Sequence, residues 1–194
     1  MIFLKLIKFG GLDLAQRIDN SAFMSAKYED DKLDQIGMKL WPHIDFSIVW
    51  DDIGRINELE DWFKRIHYDR TGVGDGLRKL IPPHLRRIIF PVAFTHQKKL
   101  DMIVLVQGLF WEDKLIIHDR NLYREITEQE RHITDAGNWL YRHPEGFHDD
   151  RFWALALMCD AAAPTIRGMV HHTMAVAQRQ ESLATLIEKS LKDI

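Results

Sequence analysis

The segment Asp149–Ala162, DDRFWALALMCDAA, constrains the fold more than any other. It reads as a helix that is apolar nearly all round, so it has no face suited to water and other elements must enclose it. It also opens with two aspartates, Asp149 and Asp150. Carboxylates at the mouth of a buried helix are costly unless positive charge meets them. The helix N-terminus helps modestly, and a divalent cation would help more. With 194 residues, 46% of them apolar, the chain can supply one domain with a real core around this helix.

The enclosing elements can be read in order. Residues 2–16, IFLKLIKFGGLDLAQ, interleave Ile, Phe and Leu with polar residues and predict a strand. Residues 21–29 can pair with it as a hairpin, and residues 32–41 give a third strand. DDIGRINELEDWFKRI places Ile53, Ile56, Leu59 and Phe63 at helical spacing, with Asp51 and Asp52 near its start. RIHYD, 65–69, is a brief strand, and DGLRKLIP a short helix stopped by Pro82 and Pro83. RRIIFPVAF reads as a strand, HQKKLDMIVLVQGLFWE as a long helix, KLIIHD as an extended piece and NLYREITEQERHI as an amphipathic helix. AGNWLYRHPEG is a hairpin or loop, and residues 165–192 a last helix. Strands thus come first, then strands alternating with helices, with no repeat, low-complexity tract or Gly/Ser linker. This order predicts one α/β domain, residues 1–194, with a mixed sheet.

Bulk properties exclude several classes. A net charge of −3 and a pI near 6.4 rule out a histone-like or homeodomain-like basic binder, while leaving room for a local basic strip. The single cysteine, Cys159, rules out an intrachain disulfide and a multi-cysteine zinc site, and fits a reducing compartment. The opening MIFLKLIKFGG lacks the long apolar core of a signal peptide and is expected to be a buried strand. No run approaches the length of a membrane span.

RIHYDRTGVGDGLRKL has the layout of a phosphate-binding loop, with Gly72, Gly74 and Gly76 between a strand and a helix. The dinucleotide fingerprint would need a third glycine where Leu77 stands, and no G-x-x-x-x-G-K-[ST] run exists in the chain. The glycines are then best read as turning the chain sharply. That leaves Asp69, at the carboxyl end of the short strand, to be explained. Such an end faces the usual binding edge of an α/β sheet. Asp13 occupies a like position in the first strand, and Asp149 and Asp150 head the buried helix. Each alone is an ordinary strand-end or helix-start aspartate. Together they can converge, and hard oxygen ligands suit Mg²⁺ or Mn²⁺. Two such ions, roughly 3.5–4 Å apart, serve phosphodiester cleavage.

GLDLAQRIDNSAFMSA, IHYDRTGVGDGL, FTHQKKLDMIVLVQGLFWEDKLIIHD, NLYREITEQE and GFHDDRFWALALMCDAA, in that order, resemble the nuclease domain of the large terminase subunit of tailed viruses over residues 8–163. The resemblance implies an RNase H-like fold and a two-metal nuclease that cuts concatemeric viral DNA at packaging. Residue by residue, it makes Asp13 the first-strand metal ligand, Asp69 the fourth-strand ligand, and Asp149 the ligand at the last core helix. Asp150 becomes a partner of Asp149, and Asp19 an accessory ligand. It also implies double-stranded DNA as substrate, an ATPase motor, a small terminase subunit and a portal as partners, and the host cytoplasm as the setting. This chain carries no Walker A motif, so ATP hydrolysis is not assigned to it. A RuvC-like junction resolvase and a non-catalytic assembly or DNA-binding module of the same fold remain as alternatives.

The remaining charged residues say less. His171 and His172 are adjacent on a helix and do not face one ligand. His143 and His148 flank the aspartate pair, and a loop histidine is usually just solvated. The basic pairs Lys64–Arg65, Arg78–Lys79, Arg86–Arg87 and Lys98–Lys99 read mostly as solvated surface. Arg70, Arg78 and Lys79 near Asp69, and Arg142 and Arg151 near the aspartate pair, are the candidate phosphate contacts.

Overall fold

The computed structural model describes residues 6–14, 20–42, 45–60, 62–71, 76–127, 130–133, 139–142 and 149–166. The expected final helix lies almost wholly outside them, as do Asp19, Gly72, Gly74, His143 and His148.

Three antiparallel strands begin the domain: β1 (Ile7–Asp13), β2 (Asn20–Glu29) and β3 (Lys32–Pro42). The β2–β3 turn is the pair Asp30–Asp31, with φ of 50° and 61°. Asp tolerates this left-handed region, and a turn of that hand matches the twist of the strands it joins. Helix α1 (Phe46–Leu59) follows, capped by Asp45, whose carboxylate accepts the Ser47 N–H at 2.7 Å. It therefore starts before the Asp51–Asp52 pair expected to head it. It also ends before Phe63: Trp62 has φ 67°, which breaks the helix, and the Asn57 side chain accepts the Phe63 N–H at 2.9 Å. The helical spacing of Phe63 was a coincidence, and its buried ring meets Phe23 edge-on at 5.8 Å.

Then come β4 (Arg65–Asp69), the short helix α2 (Gly76–Leu80), β5 (Ile89–Val92), α3 (His96–Trp111), β6 (Leu115–Ile116), α4 (Arg120–Thr127), a hairpin of β7 (Glu130–Ile133) with β8 (Trp139–Arg142), and α5 (Asp150–Ala162). The helix expected over 121–133 thus stops at Thr127, and its tail pairs as a strand. The main sheet has the order β5-β4-β1-β2-β3-β6; β4 runs parallel to β1, β5 to β4, and β6 to β3. The sheet is mixed, as expected, and helices cover both faces.

Strand alternation divides the core in two. Leu12, Phe23, Ile66 and Tyr68 join Trp50 and Ile53 of α1 on one face. Phe9, Ala22, Met24 and Ala26 join α3 and α5 on the other. Helix α5 lies so close to β1 that a Cβ on Gly11 would stand 2.1 Å from the Ala154 carbonyl oxygen and 2.2 Å from the Met158 nitrogen. Only a residue without a side chain permits this approach. The all-round apolar character of α5 is thereby explained: sheet, α3 and α4 enclose it, and Phe152, Leu155, Leu157 and Met158 are at most 1% exposed. Each such side chain stabilises the fold by about 1.5–3 kcal/mol relative to exposure.

Candidate active site

The parallel pairing of β1 with β4 sets the site. Leu12 stands beside Tyr68, so Asp13 and Asp69 end adjacent strands at the same carboxyl edge. Both point to the α5 face. Gly11, two residues before Asp13, abuts α5, and His67, two residues before Asp69, bonds Asp160 of α5. After α5 the chain passes Lys64, whose Nζ reaches Thr165 Oγ1 at 3.1 Å. Helix α5 therefore runs antiparallel to β4, and its first residues lie at the edge where β1 and β4 end.

Asp13, Asp69, Asp149 and Asp150 are thus brought together. Burial raises the proton affinity of Asp13 well above the usual carboxylate range; Asp69, Asp150 and Asp149 raise it further, and Lys99 opposes them. Three of the four carboxylates are also held by a neighbour. Asp69 Oδ1 accepts the Thr71 N–H at 2.7 Å, and Asp149 Oδ2 accepts the Trp153 indole N–H at 2.8 Å. Asp150, 6% exposed, accepts the Asn20 N–H at 3.3 Å. Among the described residues no three His, Cys, Asp or Glu side chains converge tightly enough to form a ready-made metal cage. The donor set nonetheless suits a hard cation: clustered anionic oxygens, one of them driven toward protonation by burial and by the others, are what a divalent ion relieves.

Three residues that sequence reasoning did not single out complete this edge. Asp149 is the N-cap residue of α5, but its side chain makes no capping hydrogen bond to the backbone of the helix. Glu125, buried on α4, accepts the Phe152 N–H at 3.0 Å in its place. Burial raises the Glu125 proton affinity, with Arg151 and the Phe152 N–H opposing. Trp153 lies one turn from Asp149, a spacing visible in the sequence, and gives Asp149 its hydrogen bond. Lys99 Nζ lies 4.5 Å from the centroid of the same Trp153 ring; no local signal marks it, because its place depends on how α3 meets α5.

The candidate phosphate contacts are scattered. Arg70 is exposed directly after Asp69, and Arg78 and Lys79 are exposed on α2. Among the described residues these three form no ion pair. Arg151 is bound to Glu125, Nη1 to Oε1 at 2.5 Å, and faces Asp119 at 3.7 Å. A phosphate could take it only by breaking that pair. Of Arg142 only the backbone, in β8, is described.

Three antiparallel strands, two further parallel strands beyond β1, and a helix that delivers acids to the shared carboxyl edge define an RNase H-like α/β domain. The chain belongs to the terminase RNase H-like domain family, whose model matches residues 10–161. Its fold is shared by the large terminase nuclease of the thermophilic phage G20c, at 18% identity and TM-score 0.70 over 80% of this chain and 82% of that one. That nuclease with bound magnesium matches at TM-score 0.67, at 19% identity over 81% and 82% of the two chains. The large terminase of bacteriophage HK97 matches at 18% identity and TM-score 0.62 over 81% of this chain and 40% of that one. No curated protein sequence matches. Among the described residues no helix is long and apolar enough to cross a membrane.

Proposed function

We propose that this chain is a divalent-metal-dependent endonuclease that cuts concatemeric viral DNA during genome packaging. The observation that carries the reading is the side-by-side ending of β1 and β4, which sets Asp13 beside Asp69 at the mouth of α5. Asp13, Asp69 and Asp149 would hold two Mg²⁺ or Mn²⁺ ions, with Asp150 and Asp19 as supporting carboxylates. When bound, such ions supply a water of lowered pKa and charge to meet the departing 3′-oxygen. The protein's own part is to hold the carboxylates at one edge, to keep Asp149 aimed through Trp153, and to anchor α5 through Glu125.

The substrate in this reading is double-stranded DNA, with Arg70, Arg78 and Lys79 as phosphate contacts. With a net charge of −3, affinity for free duplex is expected to be weak and salt-sensitive. Its neighbours would be a terminase ATPase motor, a small terminase subunit and a portal, in the host cytoplasm. The HK97 large terminase, of which this chain matches 40%, supports a larger machine around such a domain. The test is plasmid nicking in Mn²⁺. The parent is expected to cut and Asp69→Ala to fold but not cut. Equal nicking by both would overturn the site, and a preference for four-way junctions over linear duplex would move the reading to a resolvase.

A further inference from the structure

Lys99 is unused in the reaction outlined above, yet both halves of the site hold it in place. Thr71, whose N–H binds Asp69, also accepts the Phe94 N–H on its hydroxyl at 2.6 Å. This ties the β5–α3 junction to the second carboxylate. Thr95 then caps α3, accepting the Lys98 N–H at 3.1 Å, which sets the register of the first turn. Phe94 leans on Trp153 with ring centroids 5.2 Å apart, and the Lys99 ammonium sits over both rings, 4.5 Å from Trp153 and 5.1 Å from Phe94. Trp153 is the same residue that orients Asp149.

The neighbouring lysine has a different fate. Lys98 Nζ is bound to Asp160 at 2.7 Å. Lys99 forms no ion pair among the described residues, although aspartates surround the site. An ammonium resting on aromatic faces keeps N–H donors for an anion. Its ring platform restricts where the long stem can go, so less freedom is lost when the anion arrives.

We propose that Lys99 is a substrate-contacting residue: its ammonium, carried on the Trp153 and Phe94 rings, binds a non-bridging oxygen of the DNA phosphodiester held at the Asp13–Asp69–Asp149 edge. The inference rests on the nuclease reading. It adds a fixed protein cation to the groups that meet the phosphate, and makes Trp153 the positioning residue that aligns this cation with Asp149. The competing role for Lys99 is to offset the charge of the aspartates and nothing more.

The two roles differ in what Lys99→Ala changes. Duplex binding is measured by anisotropy in Ca²⁺ at several salt concentrations, Mn²⁺ binding by calorimetry without DNA, and cleavage in Mn²⁺. For a phosphate contact, Lys99→Ala weakens duplex binding about fivefold and lowers the salt slope by about one. It also cuts kcat/KM about tenfold, and Lys99→Arg recovers most of both losses. Mn²⁺ binding stays equal or tightens, because a cation beside the ligands has been removed. Lys32→Ala, which removes an exposed lysine paired with Asp113, leaves duplex binding unchanged. Unaltered duplex binding and cleavage in Lys99→Ala, beside a parent that cuts, overturns the proposal and leaves the nuclease reading standing. So does a loss that merely follows weaker Mn²⁺ binding or a lower Tm. A parent that binds duplex through Lys99 but never cuts overturns the nuclease reading instead, and one that neither binds nor cuts overturns both.

Discussion

Two groups of acids lie on the α5 face of the sheet, and they are built in opposite ways. At the interior end, Asp160 accepts His67 Nδ1 at 2.9 Å and Lys98 Nζ at 2.7 Å. Burial alone would raise its proton affinity, but these two partners outweigh burial and hold the carboxyl below its usual range. At the carboxyl edge, Asp13 is half-buried among three more aspartates, with Lys99 as the opposing charge, and its carboxyl is pushed well up. The same strands and the same helix carry both groups. Asp160 is paired by the chain's own His67 and Lys98, whereas Asp13 has chiefly other carboxylates for neighbours. The proposed nuclease reading uses this difference: it puts the metal ions at the edge and not in the interior.

The comparison breaks most sharply under substitution. Asp69→Asn or Asp13→Asn is expected to lower cleavage on the order of 10³-fold or more, as when one member of a concerted catalytic set is removed, with no loss in Tm. Cleavage after EDTA treatment should fall to the same floor and return with Mn²⁺. If Asp160→Asn abolished cleavage equally while leaving Tm intact, the division between the two groups would fail. Next in size is Gly11→Ala, whose methyl would meet backbone that cannot yield. It should destabilise by about 3 kcal/mol or more, the upper range for overpacking, as read by chemical denaturation. Asp160→Ala strips His67 and Lys98 of their partner and should cost about 2–4 kcal/mol, a little under the penalty for breaking a fully buried pair.

Much of the edge was legible in the sequence, and the reason is local. Strand β2 alternates loosely in the sequence, enough to be read as a hairpin partner of β1, and β4 ends at Asp69 because the chain must turn there. Helix α5 announces itself because nothing polar interrupts it from Phe152 to Cys159. What stayed hidden depends on contacts between distant segments. Glu125 looks like any acid on an amphipathic helix until α5 presents the Phe152 N–H to it. Lys99 and Lys98 look alike, and only the packing of α3 on α5 sends one to Asp160 and the other to the rings of Trp153 and Phe94. Arg151 reads as a phosphate contact by its position next to Asp150, yet it is bound to Glu125. Boundaries failed for a similar reason: the turn at Trp62, with φ 67° and its ring under Arg87, ends a helical pattern that continues in the letters.

The smallest effect is the most discriminating, because the two groups predict opposite signs. The folded proton affinity of Asp160 is depressed, so its stabilisation is present above the ordinary carboxylate range and is lost as pH falls through the lowered value. That of Asp13 is raised, so its contribution is whole below the ordinary range and is lost as pH rises through the raised value. Asp13→Asn should therefore raise the stability of the metal-free protein at pH 8, by roughly 0.5–2 kcal/mol, as a substitution that relieves a strained functional site commonly does. The gain should shrink toward pH 5, where the parent's own carboxyl takes up a proton. Adding Mn²⁺ should raise the parent's Tm more at pH 8 than at pH 5, because protons compete for the same oxygens, and should do little for Asp13→Asn. Thermal melts of the two proteins at both pH values, with and without Mn²⁺, read all of this. A parent whose Tm gain from Mn²⁺ did not depend on pH, or an Asp13→Asn protein less stable than the parent at pH 8, would show that Asp13 is a paired structural acid like Asp160.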